Sequence, residues 1–222
     1  MGITRDYAKF LDKEFGLRPV WPPTTPIVPG DYGDIEDGVF RKLGNVTEDF
    51  GISCPVMTKQ TNFDIDCQSR DTRVTTFDKN GQVKALTDDL SGKATIRIDF
   101  KKEDSFFLRA SDLKSNALKS INKLSWAIKE RTSARQWNHI QWKVVSTVYE
   151  APSVIILGSK SEEASIYFKG SAQALIKVFE GKVESGVQIS GTSNTNLKVL
   201  GDAGPVLLRL FRVRVNGSPV LK

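Results

Sequence analysis

The chain has 222 residues, of which 39% are hydrophobic and 26% charged, with a formal net charge of +6. That balance excludes an intrinsically disordered chain, and the length predicts one large domain over residues 1–222, or at most two small ones. No apolar run approaches the ~20 residues of a membrane helix, and charges throughout Met1–Leu17 exclude a secretory signal, so the expected compartment of the resting protein is the cytoplasm.

Spacing predicts a first helix over Thr4–Phe15: Ile3, Tyr7, Phe10, Leu11 and Phe15 form one apolar stripe, and Arg5, Lys9 and Lys13, four apart, form a basic stripe beside it. Gly16 ends the helix. Leu17–Pro29 carries five prolines and is expected to be extended along a sheet edge or surface. Gly30–Gly44, with Asp31, Asp34, Glu36 and Asp37 among glycines, is expected to be turn-rich. From Ile52 to Phe107 the pattern is strands and turns. Phe63, Ile65 and Cys67 alternate with Asp64 and Asp66, and Asn80-Gly81 signals a hairpin turn. Ala94, Ile96, Ile98 and Phe100 alternate with Thr95, Arg97, Asp99 and Lys101, until the alternation slips at Lys101-Lys102.

A second helix is predicted over Asp112–Arg131, capped by Asp112 or Ser111, with Leu113, Ala117, Ile121, Leu124 and Ile128 on its buried side. Strands follow at Ile140–Glu150, Ser153–Leu157 and Ala164–Lys169. Ala172–Phe179 fits a helix or a strand. Val187–Ile189, Leu197–Leu200 and Val206–Val215 are further strands, the last of them closing the domain. The order helix, strands, helix, strands predicts an α+β fold: a twisted, mostly antiparallel sheet with an N-terminal amphipathic helix and a second helix near the middle.

No catalytic constellation emerges. His139, the sole histidine, sits at the start of a predicted strand away from any nucleophile motif and reads as a surface or edge residue. The chain has no phosphate loop or dinucleotide fingerprint. The Asp31–Asp37 cluster misses EF-hand spacing, because Gly33 and Ile35 occupy ligand positions. Cys54 and Cys67 have no histidine neighbours for zinc; they read as free buried thiols, with a redox pair as the alternative. No enzyme, metal or cofactor is expected. The positive charge favours an anionic partner, whether nucleic acid, acidic lipid or acidic protein. The aromatic residues alternate into core positions, which weakens a single-strand nucleic-acid groove.

Taken in order, these segments resemble the pore-forming domain of gasdermins. The basic first helix and extended segment match Thr4–Phe15 and Leu17–Pro29. A Gly-Asp turn before an aliphatic or acidic stretch matches Pro29-Gly30-Asp31 through Asp37-Gly38-Val39-Phe40. The charged hairpin region matches Thr61–Phe77 and Gly92–Lys102, and the Lys-rich helix matches Asp112–Arg131. A strand of the type LYVVTEV matches Trp142–Glu150, and a closing strand after a Pro/Gly turn matches Gly201–Val215. The resemblance spans nearly the whole chain and rests on the order of these motifs. It is nearest to the minimal single-domain members, fungal or bacterial. There is no large inhibitory C-terminal domain here and no cysteine in Met1–Thr4; Met1-Gly2-Ile3 lacks the Ser or Thr at position 6 of an acylation signal, where Asp6 stands. Restraint is then expected from outside the chain, unless this is already the liberated form.

The resemblance implies a membrane pore-forming effector of regulated cell death that binds acidic phospholipid, assembles as a homo-oligomer or with a related gasdermin, and inserts β-hairpins into the cell membrane as a large barrel. It implies no nucleic-acid partner. The lipid-binding residues on this reading are Arg5, Lys9 and Lys13, helped by Arg18, Arg41 and Lys42; an ordinary solvated helix face would look the same. The membrane-inserting residues would be Phe63, Ile65, Ala94, Ile96, Ile98, Phe100, Trp142, Val144, Val148, Ile166 and Phe168, although alternation also describes any half-buried strand of a water-soluble protein. The other reading is a soluble non-enzymatic binding module for nucleic acid or an acidic protein.

Overall fold

A computed structural model describes residues 2–22, 25–61, 63–85, 91–133, 136–182, 185–192, 195–201 and 203–221, without the side chains of residues 2–4, 6 and 195–201. Ile3, assigned above to the first helix's apolar stripe, therefore lies outside the described side chains.

In chain order the elements are α1 (Gly2–Phe15), β1 (Arg18–Pro19), β2 (Asp31–Glu36), β3 (Val39–Asn45), α2 (Val46–Phe50), β4 (Val56–Gln60), β5 (Ile65–Gln68), β6 (Thr72–Phe77) and β7 (Lys93–Phe100). Then come β8 (Phe106–Ala110), β9 (Lys114–Leu118), α3 (Ile121–Arg131), β10 (Lys143–Ala151), β11 (Val154–Ser159), β12 (Ala164–Ser171) and α4 (Ala172–Phe179). The chain finishes with β13 (Gln188–Gly191), β14 (Thr195–Gly201), β15 (Gly204–Val213) and β16 (Pro219–Leu221). Among the described residues every strand pair is antiparallel. The class is α+β as expected, with the N-terminal and middle helices in place. No described helix is long and apolar enough to cross a membrane.

The chain divides into two compact units. One comprises Thr4–Asn62, Asp112–Ala151 and Ala203–Lys222 and is built on an eight-stranded sheet in which β10 and β15 lie at the centre. Val144, Leu124, Ile128 and Phe211 pack there with Tyr32, Trp137 and Trp142, whose rings lie 5.0–5.3 Å apart. Val20, Ile27, Phe40, Val145, Val148 and Leu208 form a separate cluster in the same unit. The proline-rich segment runs along the sheet as predicted, through β1 paired with β15.

The other unit comprises Phe63–Ser111 and Pro152–Asp202, with the first three residues. It holds two four-stranded sheets, ordered β14-β11-β8-β5 and β13-β12-β7-β6. Its core is Ala94, Ile96, Ile98, Phe100, Phe107, Ile155, Leu157, Ile166 and Phe168, with Leu175 and Val178 from α4. Segment 172–179 is thus a helix: Ser171 caps it, its hydroxyl accepting from the Ala174 N–H at 3.1 Å.

Three expectations are corrected. Gly30–Gly44, expected to be turn-rich, is mostly a strand hairpin, β2–β3, with its turn at Asp37-Gly38. The ladder shifts register between Tyr32 and Gly33, and a Cβ at Gly33 would fall 1.9 Å from the Arg41 carbonyl oxygen; the glycine marks a close backbone approach at an irregularity. The helix expected over Asp112–Arg131 begins only at Ile121. Asp112 turns the chain at φ 56°, and Lys114–Leu118 is a strand laddered on both sides, to β10 and β4. The ladder bonds outweigh the segment's local helix propensity, and the cap is Ser120, whose hydroxyl accepts from the Lys123 N–H at 3.2 Å. Finally, Val206–Val215 is not the last strand. It ends at Val213, and the chain turns at Gly217 to add β16 against β15.

Candidate functional site

The exposed stripe on α1 is the first candidate surface. Tyr7, Ala8 and Leu11 are buried, which leaves Arg5, Lys9 and Lys13 exposed one turn apart. Lys13 lies 4.0 Å from Glu14, a long and solvent-screened pair.

The other three proposed lipid-binding cations are engaged within their own unit. Arg18 pairs with Asp12 at 2.7 Å. Arg41 grips Asp34 through two bonds of 3.0 and 2.9 Å and lies 3.3 Å from Glu36. That fork holds the Asp34 carboxyl below the usual carboxylate range and pushes the Arg41 guanidinium still higher. Lys42 Nζ sits 2.9 Å from Oδ1 of the fully buried Asp31, which also accepts from Asn45 Nδ2 at 2.8 Å and from the Val28 N–H at 2.9 Å. Asp31, Asp34 and Glu36 are thus counter-ions to their neighbours.

The second candidate is the strand array of the two excursions, Phe63–Ser111 and Pro152–Asp202. In each excursion the strands pair as a nested hairpin: β6 with β7 inside and β5 with β8 outside, then β12 with β13 inside and β11 with β14 outside. The inner pairs share one sheet and the outer pairs share the other, with the four arms in the same order in both. The middle arms keep one register across the two sheets: Val154 faces Ala110 and Gly158 faces Phe106, then Ala164 faces Phe100 and Ser171 faces Lys93, so the two residue numbers of each pair add to the same value. The array is one four-arm antiparallel ribbon, bent once. The bends fall at charged turns where Asp104 (φ 62°) and Glu163 (φ 57°) adopt left-handed backbone.

The inner half of the ribbon has two unlike faces. Ala94, Ile96, Ile98 and Phe100 of β7 and Ala164, Ile166 and Phe168 of β12 point into the core. Opposite them, Arg97 pairs with Asp99 at 2.6 Å and lies 5.6 Å over the Tyr167 ring, and Ser165 Oγ donates to Asp99 at 2.5 Å. Cross-strand rows follow: Thr76, Ile96, Phe168 and Ile189 on the apolar face, Thr75, Arg97, Tyr167 and Ser190 on the polar one.

Among the proposed membrane-inserting residues, Ile65 is buried in β5 of the outer half and Phe63 is half-buried just before it. Trp142, Val144 and Val148 belong instead to the eight-stranded sheet of the other unit. Val144 and Val148 do not share a face there: a register shift at Ser146, whose hydroxyl bonds the Arg209 carbonyl at 2.9 Å, sends them into different clusters. The strands expected at Val187–Ile189 and Leu197–Leu200 are the fourth arm, β13 and β14, but the proposed inserting set left out Ile189, which extends the apolar row, because β13 has only four residues, too short a run for alternation to mark its face. The positive-φ bends had a faint signal in the clusters Lys101–Asp104 and Lys160–Glu163.

His139 Nδ1 lies 3.2 Å from the Val213 carbonyl oxygen, an edge contact. Both cysteines are free thiols; burial pushes Cys67 up to about 12 and also raises Cys54.

No protein-family model matches the chain, and no curated protein matches it significantly. Among solved structures the chain is similar to a bacterial gasdermin from Bradyrhizobium tropiciagri, with 16% identity and a TM-score of 0.40, covering 100% of this chain and 91% of that one.

Proposed function

We propose that this protein is a non-enzymatic, gasdermin-like pore former, an effector of regulated cell death that permeabilises membranes rich in acidic phospholipid. The observation that carries this reading is the bent four-arm ribbon. Straightening at its bends turns two folded hairpins into two long ones without changing which strand pairs with which. The arm Lys93–Ala110 would then be long enough for the 9–11 residues that a tilted spanning strand needs. The row of Ile96, Ile98, Ile166 and Phe168 turns to lipid, and the row of Arg97, Asp99 and Tyr167 turns to water, as a barrel wall requires.

Among the described residues, the arms β5–β6 and β13–β14 are the two edges of the ribbon. Lipid does not tolerate unpaired backbone edges, so insertion demands closure with ribbons from other copies or from a related protein. Arg5, Lys9 and Lys13 supply the first contact with anionic headgroups, at about 1 kcal/mol each. The resting protein is cytoplasmic and the assembled one sits in the cell membrane; no cofactor takes part.

The test is dye release from acidic and neutral phospholipid vesicles, with negative-stain imaging of the acidic ones. The expected result is rapid release with rings from acidic vesicles and little from neutral ones. Absence of release under both conditions, together with salt-sensitive binding to an oligonucleotide, would replace this reading with a soluble nucleic-acid module.

A further inference from the structure

Within the unit of the eight-stranded sheet, a groove of about 450 Å³ opens between α3 and the loop after α2. Ile52, Leu118 and Leu124 give it an apolar floor, and Lys119, Lys123 and Arg131 stand along it. None of the residues lining it is acidic. Lys119 and Lys123 are exposed, and Arg131 is anchored by one Nη1 bond of 2.9 Å to the Gly51 carbonyl, which holds its guanidinium beside the groove. Neither α1 nor the ribbon contributes to it.

We propose that this groove binds a single-chain anionic amphiphile, a medium-chain fatty carboxylate, with the carboxylate against Lys119, Lys123 and Arg131 and the chain over Ile52, Leu118 and Leu124. The volume lies toward the small end of the ~300–1,000 Å³ typical of ligand sites, which suits one chain rather than a two-chain lipid. Charge selects the head: three cations with no lining carboxylate favour an anion and oppose a cationic amphiphile of the same length. The floor selects the body, because a purely polar anion would leave that apolar surface wet. Arg131 is suited to the head because its planar fork matches a carboxylate. The site stands apart from the pore-forming reading, and its test uses no vesicle, so either can fail alone.

Cys54 lines the groove, half-buried, and serves as a reporter. The experiment titrates decanoate into the intact protein by calorimetry and follows iodoacetamide alkylation of Cys54 at mildly alkaline pH by mass spectrometry, with the buried Cys67 as internal reference. Saturable one-to-one binding is expected, with Cys54 alkylation slowed about fivefold or more at saturating ligand, on the order of what burying a half-exposed group produces. The double variant K119E/K123E, at two exposed positions, is expected to bind decanoate about tenfold more weakly. Decyltrimethylammonium and hexaglutamate are expected to give no protection. Absence of saturable binding overturns the proposal. So does equal protection by the cationic amphiphile, which would leave only a greasy cleft, or by hexaglutamate, which would make the surface a dock for an acidic peptide. Unchanged affinity in the double variant also overturns it.

Discussion

Lys42 holds the carboxylate of Asp31, a group with no solvent exposure, at 2.9 Å. A lysine that sequence assigns to membrane contact is therefore the counter-ion of a buried acid. Lys42→Ala is expected to cost about 1 kcal/mol, since the ammonium itself is partly exposed, and Asp31→Ala about 3 kcal/mol, since it also strands the Asn45 amide and the Val28 N–H. Urea unfolding of the two variants measures both. Equal and negligible losses would show that neither group matters to the stability of the buried cluster.

The α1 cations are expected to behave in the opposite way. Reversing Arg5, Lys9 and Lys13 to Glu leaves the unfolding midpoint nearly unchanged, because all three are exposed. Binding to acidic vesicles is expected to fall by about a hundredfold or more, from three contacts of about 1 kcal/mol each. Co-sedimentation at fixed ionic strength reads the effect, and undiminished binding would clear this helix of the role.

Alternation along β13 gives a test of insertion. With Cys54 and Cys67 replaced by serine, a polarity-sensitive dye is attached at Ile189→Cys or Ser190→Cys. Ile189 continues the apolar row through Phe168 and Ile96, and Ser190 continues the polar row through Tyr167 and Arg97. On acidic vesicles the dye at 189 is expected to shift to the blue and to be quenched by lipid-borne nitroxides, while the dye at 190 stays wet. The same response at both positions would mean that β13 does not become a barrel wall.

Asp104 and Glu163 hold left-handed backbone at the bends, where glycine sits without strain. Asp104→Gly and Glu163→Gly are each expected to stabilise the bent form by roughly 1 kcal/mol, through relief of that strain. Vesicle permeabilisation should slow accordingly, because the extended arms gain nothing from the change. Faster release by a more stable variant would sever the link between bend and pore.

Tyr32 gives a pH signature. Burial, reinforced by a hydrogen bond to Asp49, raises its phenol from 10.0 to about 12. The folded state therefore keeps the proton where the unfolded state has lost it. Stability from this group is complete below about pH 10 and is lost as pH climbs toward 12. Tyr32→Phe is expected to flatten that decline and to cost about 1 kcal/mol at neutral pH for the lost bond. Urea midpoints across the alkaline range decide it.

Period-two alternation at Ala94–Phe100 and helical spacing at Thr4–Phe15 gave true elements, because each pattern reports which side a residue buries. The sequence also carried the cationic stripe of α1, since four-residue spacing places side chains on one helix face wherever the helix packs. Reading failed where long-range bonds decide. Lys114–Leu118 looks helical in isolation and is a strand because β4 and β10 supply ladders on both sides.

From sequence alone came the α+β class, the antiparallel preference, the apolar and polar faces of β7 and the basic first helix, all properties of residues near one another in the chain. Only tertiary structure decided that Arg18, Arg41 and Lys42 are held by carboxylates, that Val144 and Val148 part company at a bulge, and that two excursions more than forty residues apart share one bent ribbon. Pairing energy between distant strands depends on registers set by the whole fold, and the local pattern that each strand carries is compatible with many of them.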